Sequence, residues 1–409
     1  MSRIGALRPL RHRDFALMWA GFATSLLGDG VYLVAIAWQA YELSSTPAAL
    51  SIVGFAWTLP TVLLVLAGGV VSDHRDRRRV MLAGDALRAG AVAVAAALSL
   101  TGLLQLWELV VLVAIYGVGD ALFLPSATAI VPSLVPPDEI VHANALEHLA
   151  RPLAMRFAGP ALGGVIVAVG GAGLGFAFDA ATFVVSAVCL TAMRPLPAAD
   201  PARRSLRAAT REVREGLAYV RSQPWLWATL GAAGLALLAF YGPLEVLVPY
   251  MIKEELGLGA GTFGAVLAAS GIAQIAMALT ISQRGLPRHK ITVMYLCWAL
   301  ATALIAGYAV ATERWQLMAI GAVGGALQGA GSIVWGTLMQ TRVPARLLGR
   351  VSSVDWMFSS ALIPVSFVLV GPLAGTFGAK PVLVAAGLSG GLVTLAFLFV
   401  PGVRDPEPR

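Results

Sequence analysis

Two aspartates, Asp29 and Asp120, stand near the middles of long apolar runs. A carboxylate at the centre of a bilayer costs about 2.5–3.5 kcal/mol on insertion scales, so each needs water, a cation or a proton. The chemistry open to them is proton exchange or cation binding, because a carboxylate that alternates between a dry setting and a nearby cation can take up and release a proton. Arg156, in the fifth apolar run, is a candidate cation for that role, or else a side chain that reaches back to the surface. One charge moved across 100 mV is worth about 2.3 kcal/mol, enough for roughly a 40-fold concentration gradient without ATP. The sequence has no Gly-x-x-x-x-Gly-Lys-Ser/Thr phosphate loop, and its single Gly-x-Gly-x-x-Gly, from Gly259 to Gly264, follows no strand.

The segments that must hold these groups are membrane spans. Of 409 residues, 58% are hydrophobic and 12% charged, about half the charge of an ordinary soluble domain. Hydropathy gives twelve candidate spans, the first at roughly 14–40 and the sixth at roughly 172–194. The net charge of +7 follows topology. Of the 29 Arg and Lys, only Lys253, Arg314 and Lys380 fall on one side, Arg88 and Arg156 lie within spans, and the rest share the other side. Basic residues concentrate on the cytoplasmic face, so both termini are expected there, and nucleic acid is excluded as the reason for the charge. Cys189 and Cys297 read as small buried hydrophobes, and the five histidines have no ligand companions, so no metal and no cofactor is expected. The arginine-rich start, Arg3 to Arg13, precedes a long span with no small-residue cleavage site and reads as uncleaved.

The chain divides as an N-terminal six-helix bundle (1–194), a basic cytoplasmic linker (195–224) and a C-terminal six-helix bundle (225–409). Within the linker, Leu206, Val213, Leu217 and Val220 alternate with arginines and with Glu212 and Glu215, a pattern for an amphipathic helix on the inner leaflet. An offset near 210 relates the halves at low fidelity: Gly371-Pro372 answers Gly159-Pro160, and Arg284, Arg288 and Lys290 answer the loop near residue 75.

That loop carries a resemblance. Gly69, Val71, Ser72, Asp73, Arg77, Arg78 and Met81 match, in type and spacing, the helix 2 to helix 3 loop of major facilitator superfamily transporters, with Asp76 where that pattern has glycine. Gly159, Pro160, Gly163 and Gly164 resemble the end of the fifth-helix motif of its exporters, with Met155 at the place of that motif's upstream glycine. Gly28-Asp29, the VPPDEIVHAN stretch from Val135 and QTRVPARLLGRVSS from Gln340 are similar to the drug:proton antiporter branch, which holds macrolide and multidrug efflux pumps and the enterobactin exporter.

The resemblance implies an all-α membrane protein of twelve transmembrane helices in two pseudo-symmetric six-helix bundles. Helices 1, 4, 7 and 10 would line a central cavity, and each of those spans has a polar residue: Asp29, Asp120, Glu245 and Gln328. Tyr32, Tyr116, Tyr241 and Trp335 lie three, four or seven positions from them, on a similar face, as aromatic cavity walls. Asp73, Arg77 and Arg78 would form a conformational latch. Antiporters of this superfamily usually have an arginine in the first half of helix 4. The stretch Leu112 to Gly119 has none, and Arg156 is the candidate substitute. Asp85, Arg88, Asp179, Arg350 and Asp355 read as pairs between helices near span ends.

The function expected is a secondary active exporter of hydrophobic or amphipathic small molecules, a monomer in the cytoplasmic membrane, driven by proton antiport through alternating access. The rival is a facilitator or importer of a polar nutrient or lysolipid in which the acids bind substrate without protons. A scaffold or sensor lacks a folded soluble domain, and an enzyme lacks a nucleophile and base at interpretable spacing. The proton-coupled mechanism expects Asp29 and Asp120 to face a shared aqueous vestibule, whereas the transporter scaffold does not depend on it.

Overall fold

The computed structural model describes residues 5–194, 206–405 and 407; residues 195–205 of the linker, including Arg203 and Arg204, and the side chain of Asp73 lie outside that description. Fifteen helices follow one another, and there is no strand among the described residues. In the first half these are α1 (Arg13–Leu43), α2 (Pro47–His74), α3 (Arg77–Leu100), α4 (Leu106–Ile130), α5 (Ile140–Arg151) and α6 (Gly159–Ala192). The second half holds α7 (Leu206–Ser222), α8 (Pro224–Gly242), α9 (Val248–Tyr250), α10 (Ala260–Arg284), α11 (Lys290–Ala303), α12 (Arg314–Arg342), α13 (Ala345–Ala361), α14 (Ile363–Phe377) and α15 (Ala379–Leu398).

Eleven helical runs among the described residues are long and apolar enough to cross a membrane. The longest, Pro137–Ala192, has 56 residues, over twice what one crossing needs. It turns back at Gly171, whose φ of 74° and ψ of 175° suit a residue without Cβ, so the run makes two crossings and the total is twelve. Large apolar side chains within the spans, such as Val184, Leu279 and Leu392, are exposed, as a surface solvated by lipid tails requires.

The helices pack as two compact units. One comprises Met1–Ser45, Ile52–Arg203 and Leu258–Ala268, the other Thr46–Ser51, Arg204–Gly257 and Ala269–Arg409. In the first unit α6 lies along α1, and α3 packs on α4 and α6. Its closest approach uses the glycine-rich stretch: a Cβ on Gly159 would sit 2.6 Å from the Cα of Gly30, and one on Gly163 3.0 Å from the Cα of Val31. Pro160 is buried in the same contact, and Gly164 meets Gly264 within this unit. Just before it, Pro152–Ala158 widens into a π-type turn where Pro152 lacks an N–H for the ladder.

In the second unit α8 packs on α14 and α15, and α11 on α12 and α15. Ser366 on α14 ties two backbones together, accepting from the Gly242 N–H at 2.7 Å and donating to the Leu238 carbonyl at 2.6 Å. The C-terminal end of the α7 edge read from the sequence as lying on the inner leaflet packs against protein. Val220 is in the unit's buried core, Leu217 packs against it, and Glu215 pairs with Arg350 of α13. The apolar edge finds a drier partner in α13 than a headgroup region offers.

Candidate functional site

The loop between α2 and α3 explains its own residues. Asp76 accepts the Arg78 N–H at 3.0 Å and so caps the first turn of α3, a role that glycine at this place could not fill. Arg77 donates to the Ala129 carbonyl at 2.7 Å, and Arg78 to the carbonyls of Met193 (2.7 Å) and Thr191 (3.1 Å). The two arginines thus engage the exposed carbonyl ends of α4 and α6, where the helix dipole favours a cation. Gly69 is half-buried with open space where a Cβ would go, so nothing there demands a glycine.

Inside the first unit four helices bring charge together. Asp85 and Arg88 lie one turn apart on α3, Tyr116 and Asp120 one turn apart on α4, and those faces meet Asp29 of α1. The guanidinium of Arg88 is their centre. It donates to Asp85 at 2.5 Å and to Asp120 at 3.1 Å, and lies 4.0 Å from Asp29. Phe123 and Phe183 flank it, with ring centroids 4.3 and 4.5 Å from Cζ, a cation–π sandwich. The remaining carboxylate oxygens have donors of their own: Tyr116 to Asp29 at 2.6 Å, Trp57 to Asp120 at 2.9 Å and Ser186 to Asp85 at 2.7 Å. Arg88 is 2% exposed and Asp29 7%. A buried ion pair survives only with this density of matched donors.

Three expectations change here. First, the cation beside the acids is Arg88, and Arg156 is exposed in the π-type turn before α6. Arg88 of α3 supplies the cation beside Asp120 of α4, and Arg156 does not. Second, Asp29 and Asp120 are largely buried, with side chains 11% and 13% exposed, and are engaged by neighbouring helices, Asp29 by Tyr116 and Asp120 by Arg88 and Trp57. Third, Tyr32 and Tyr116 are 2% and 1% exposed and line no open wall. Their rings stack at 4.6 Å and 7°, and Trp57 meets both edge-on at 5.8 and 5.7 Å. Stacking two tyrosines against a tryptophan gains more in dry contact than in water.

Asp179 completes the group. It is fully buried on α6, and Gly28 of α1 is cut to fit it: a Cβ there would fall 2.3 Å from Asp179 Oδ1 and 2.1 Å from Thr182 Oγ1. This explains why glycine precedes Asp29.

The second unit holds the other expected residues. Trp335 donates to Asp355 at 3.1 Å and its ring lies 6.1 and 6.3 Å from those of Trp225 and Trp298, with Ser359 also on Asp355 at 3.3 Å. Tyr241 is half-buried beside Phe240, Glu245 is half-buried in the π-type turn Pro243–Leu247, and Gln328 is half-buried on α12. A cavity of about 590 Å³ lies between α8, α14 and α15, lined almost wholly by apolar side chains such as Leu238, Val370 and Phe377. None of Tyr241, Glu245, Gln328 or Trp335 lines it. Among the described residues there is no cluster of metal-ligating side chains.

Arg88, Trp57 and Asp179 are the residues whose place sequence reasoning missed. The signal was present for Arg88: an arginine well inside an apolar run is itself a site marker, and its local pairing with Asp85 masked it.

Twelve apolar crossings in two units, with a largely buried charge cluster inside one of them, define a multi-pass membrane protein of the major facilitator fold. Solved structures agree on the fold: a POT family transporter in complex with 5-aminolevulinic acid (TM-score 0.72, 12% identity, 96% of each chain) and the nucleoside transporter NupG (TM-score 0.68, 13% identity, 96% of this chain and 98% of that one). The family model described as transmembrane secretion effector matches residues 4–405, and the chain belongs to that family of major facilitator efflux transporters. Among curated relatives it is 28% identical to the multidrug efflux pump Tap of Mycolicibacterium fortuitum (96% of this chain, 95% of that one). It is 22% identical to macrolide efflux protein A of Streptococcus pyogenes (96% of each chain).

Proposed function

We propose that the chain exports hydrophobic or amphipathic small molecules, of the drug or macrolide kind, in exchange for protons. The relatives' names support the cargo class, and the cluster around Arg88 is the single observation that supports the engine. Ionisable groups in the interior of spanning helices are retained where they do work, since their burial is costly. The acids work as a set clamped by Arg88, in place of free acids in a vestibule. The cycle loosens this clamp on one side of the membrane and restores it on the other, so that the affinity for protons alternates with access. The latch loop, held by Arg77 and Arg78 on the ends of α4 and α6, moves with the same unit. The working protein is a monomer in the cytoplasmic membrane with both termini inside, as the distribution of basic residues supports.

The test is transport in vesicles of the purified protein loaded with ethidium or erythromycin. With an imposed pH gradient, concentrative efflux proceeds; with a protonophore it stops. Uphill efflux that continues after the gradient is collapsed would remove proton antiport. Movement that is only downhill in both conditions favours the facilitator.

A further inference from the structure

The interior of the first unit holds four carboxyl groups, Asp29, Asp85, Asp120 and Asp179, against one guanidinium, Arg88. Were all four ionised, the set would carry three negative charges beyond the one Arg88 offsets, in a largely buried region where Asp85 and Asp179 are fully buried. Each such charge costs several kcal/mol, so the set as built must hold protons.

Where they sit follows from who supplies donors. Asp85 and Asp120 each bond Arg88 directly and each receives a second donor, from Ser186 and Trp57. Asp29 receives the Tyr116 hydroxyl and lies 4.0 Å from the guanidinium. Donors aimed at a carboxylate favour its ionised form. Asp179 has no such support. Among the described residues its Oδ2 has no hydrogen-bond partner, and no ion pair reaches it. The nearby Thr182 hydroxyl gives its good bond, 2.7 Å, to the Asp179 backbone carbonyl and stands 3.4 Å from Oδ1. The titratable groups facing it are Asp29 and Tyr32 from α1, Arg88 from α3, and Tyr116 and Asp120 from α4. Two of those five are carboxyls and none but Arg88 is a cation, and that cation is already bonded to others. A neutral carboxyl with one unpaired oxygen is far less costly here than an anion.

We infer that Asp179 is protonated in this closed arrangement and is the residue that carries the exchanged proton, an inference that rests on the proton-antiport reading above. When the contact of α1 with α6 at Gly28 loosens, the O–H bond of the Asp179 carboxyl breaks. The proton passes to water, the electron pair stays on Oδ2, and the new carboxylate is free to meet Arg88 or a cationic cargo. Reclosure against Gly28 forces a proton back on.

Two measurements on the full chain separate this inference from the reading it stands on. The first is infrared spectroscopy of the purified protein at neutral pH, which reads the carbonyl stretch of a protonated carboxyl group. That band should be present in the wild type, vanish in Asp179→Asn, and survive in Asp29→Asn and Asp120→Asn. Where Asp179→Asn does not fold, Asp179→Glu should shift the band without removing it. A band that persists in Asp179→Asn, or that Asp29→Asn abolishes instead, overturns the assignment. The second is ethidium transport in vesicles. Asp179→Asn should lose the acceleration by a pH gradient, at least 10-fold against wild type, while ethidium counterflow continues. Full pH-driven efflux in Asp179→Asn overturns the inference and leaves antiport standing. A wild type that ignores the gradient while still showing the Asp179 band overturns antiport and with it the carrier role, and leaves only the protonated state of Asp179 standing.

Discussion

Replacing Arg88 with methionine should be the most damaging single change in the first unit. The new side chain keeps much of the volume between the rings of Phe123 and Phe183 but removes the charge they sandwich. Asp85 and Asp120 lose donors at 2.5 and 3.1 Å, and Asp29 loses its neighbouring cation. Breaking a buried pair by removing one partner costs about 3–5 kcal/mol, because the other charge is left stranded. At about 2–4 °C per kcal/mol for a unit of this size, melting in detergent should fall by roughly 10 °C. The stranded charge is also the handle for a cycle. Asp120→Asn in the methionine background should recover part of the loss, giving a coupling energy of about 1–3 kcal/mol between the two positions. Arg88→Lys should lie between, since an ammonium keeps the charge and loses the fork that reaches Asp85 and Asp120 together. Melting of Arg88→Met indistinguishable from wild type, or strict additivity with Asp120→Asn, would refute the claim that this arginine holds the acids.

Three further outcomes follow from local geometry. Gly28→Ala drives a Cβ to within 2.1 Å of Thr182 Oγ1 and 2.3 Å of Asp179 Oδ1, so α1 and α6 must part; fluorescence-detected gel filtration should show a less stable protein, and pH-driven efflux should fall with it. Ser366→Ala strands the buried Gly242 N–H and should cost about 1–3 kcal/mol, read as lower thermal stability, with the proton dependence of transport unaltered. Arg78→Ala removes two charge-assisted bonds to the end of α6; limited proteolysis after residue 190 should quicken, whereas Arg79→Ala, an exposed side chain 3.7 Å from Asp76, should leave it unchanged.

The fold was legible because hydropathy and charge asymmetry act over whole spans. Twelve crossings could be counted even though one pair runs on without a polar loop, its turn resting on Gly171 alone. That Arg77 and Arg78 stand between two spans was legible from the charge pattern. What Asp76 does was not, since a cap depends on where the helix begins and the family pattern has glycine there. The acids were found by cost: a carboxylate in mid-span needs explanation wherever it lies. Their partner was obscured because Asp85 sits one turn from Arg88 and offered a complete local account, while the bond to Asp120 crosses 32 residues. Tyr32 and Tyr116 show the limit of helical spacing. It put them on the face of their acids, but whether that face meets water or a second aromatic ring is decided by the neighbouring helix, and here it meets the ring. The α7 edge turned on the same question, with α13 as the neighbour.

The account rests on the acids around Arg88 coupling protons to cargo, and the ratio of uphill to exchange transport tests that most directly. In vesicles with an acidic exterior, wild type should drive ethidium against its gradient, whereas Asp120→Asn should lose uphill movement and still exchange labelled for unlabelled ethidium. Equal loss of both, or uphill transport retained in Asp120→Asn, would contradict it.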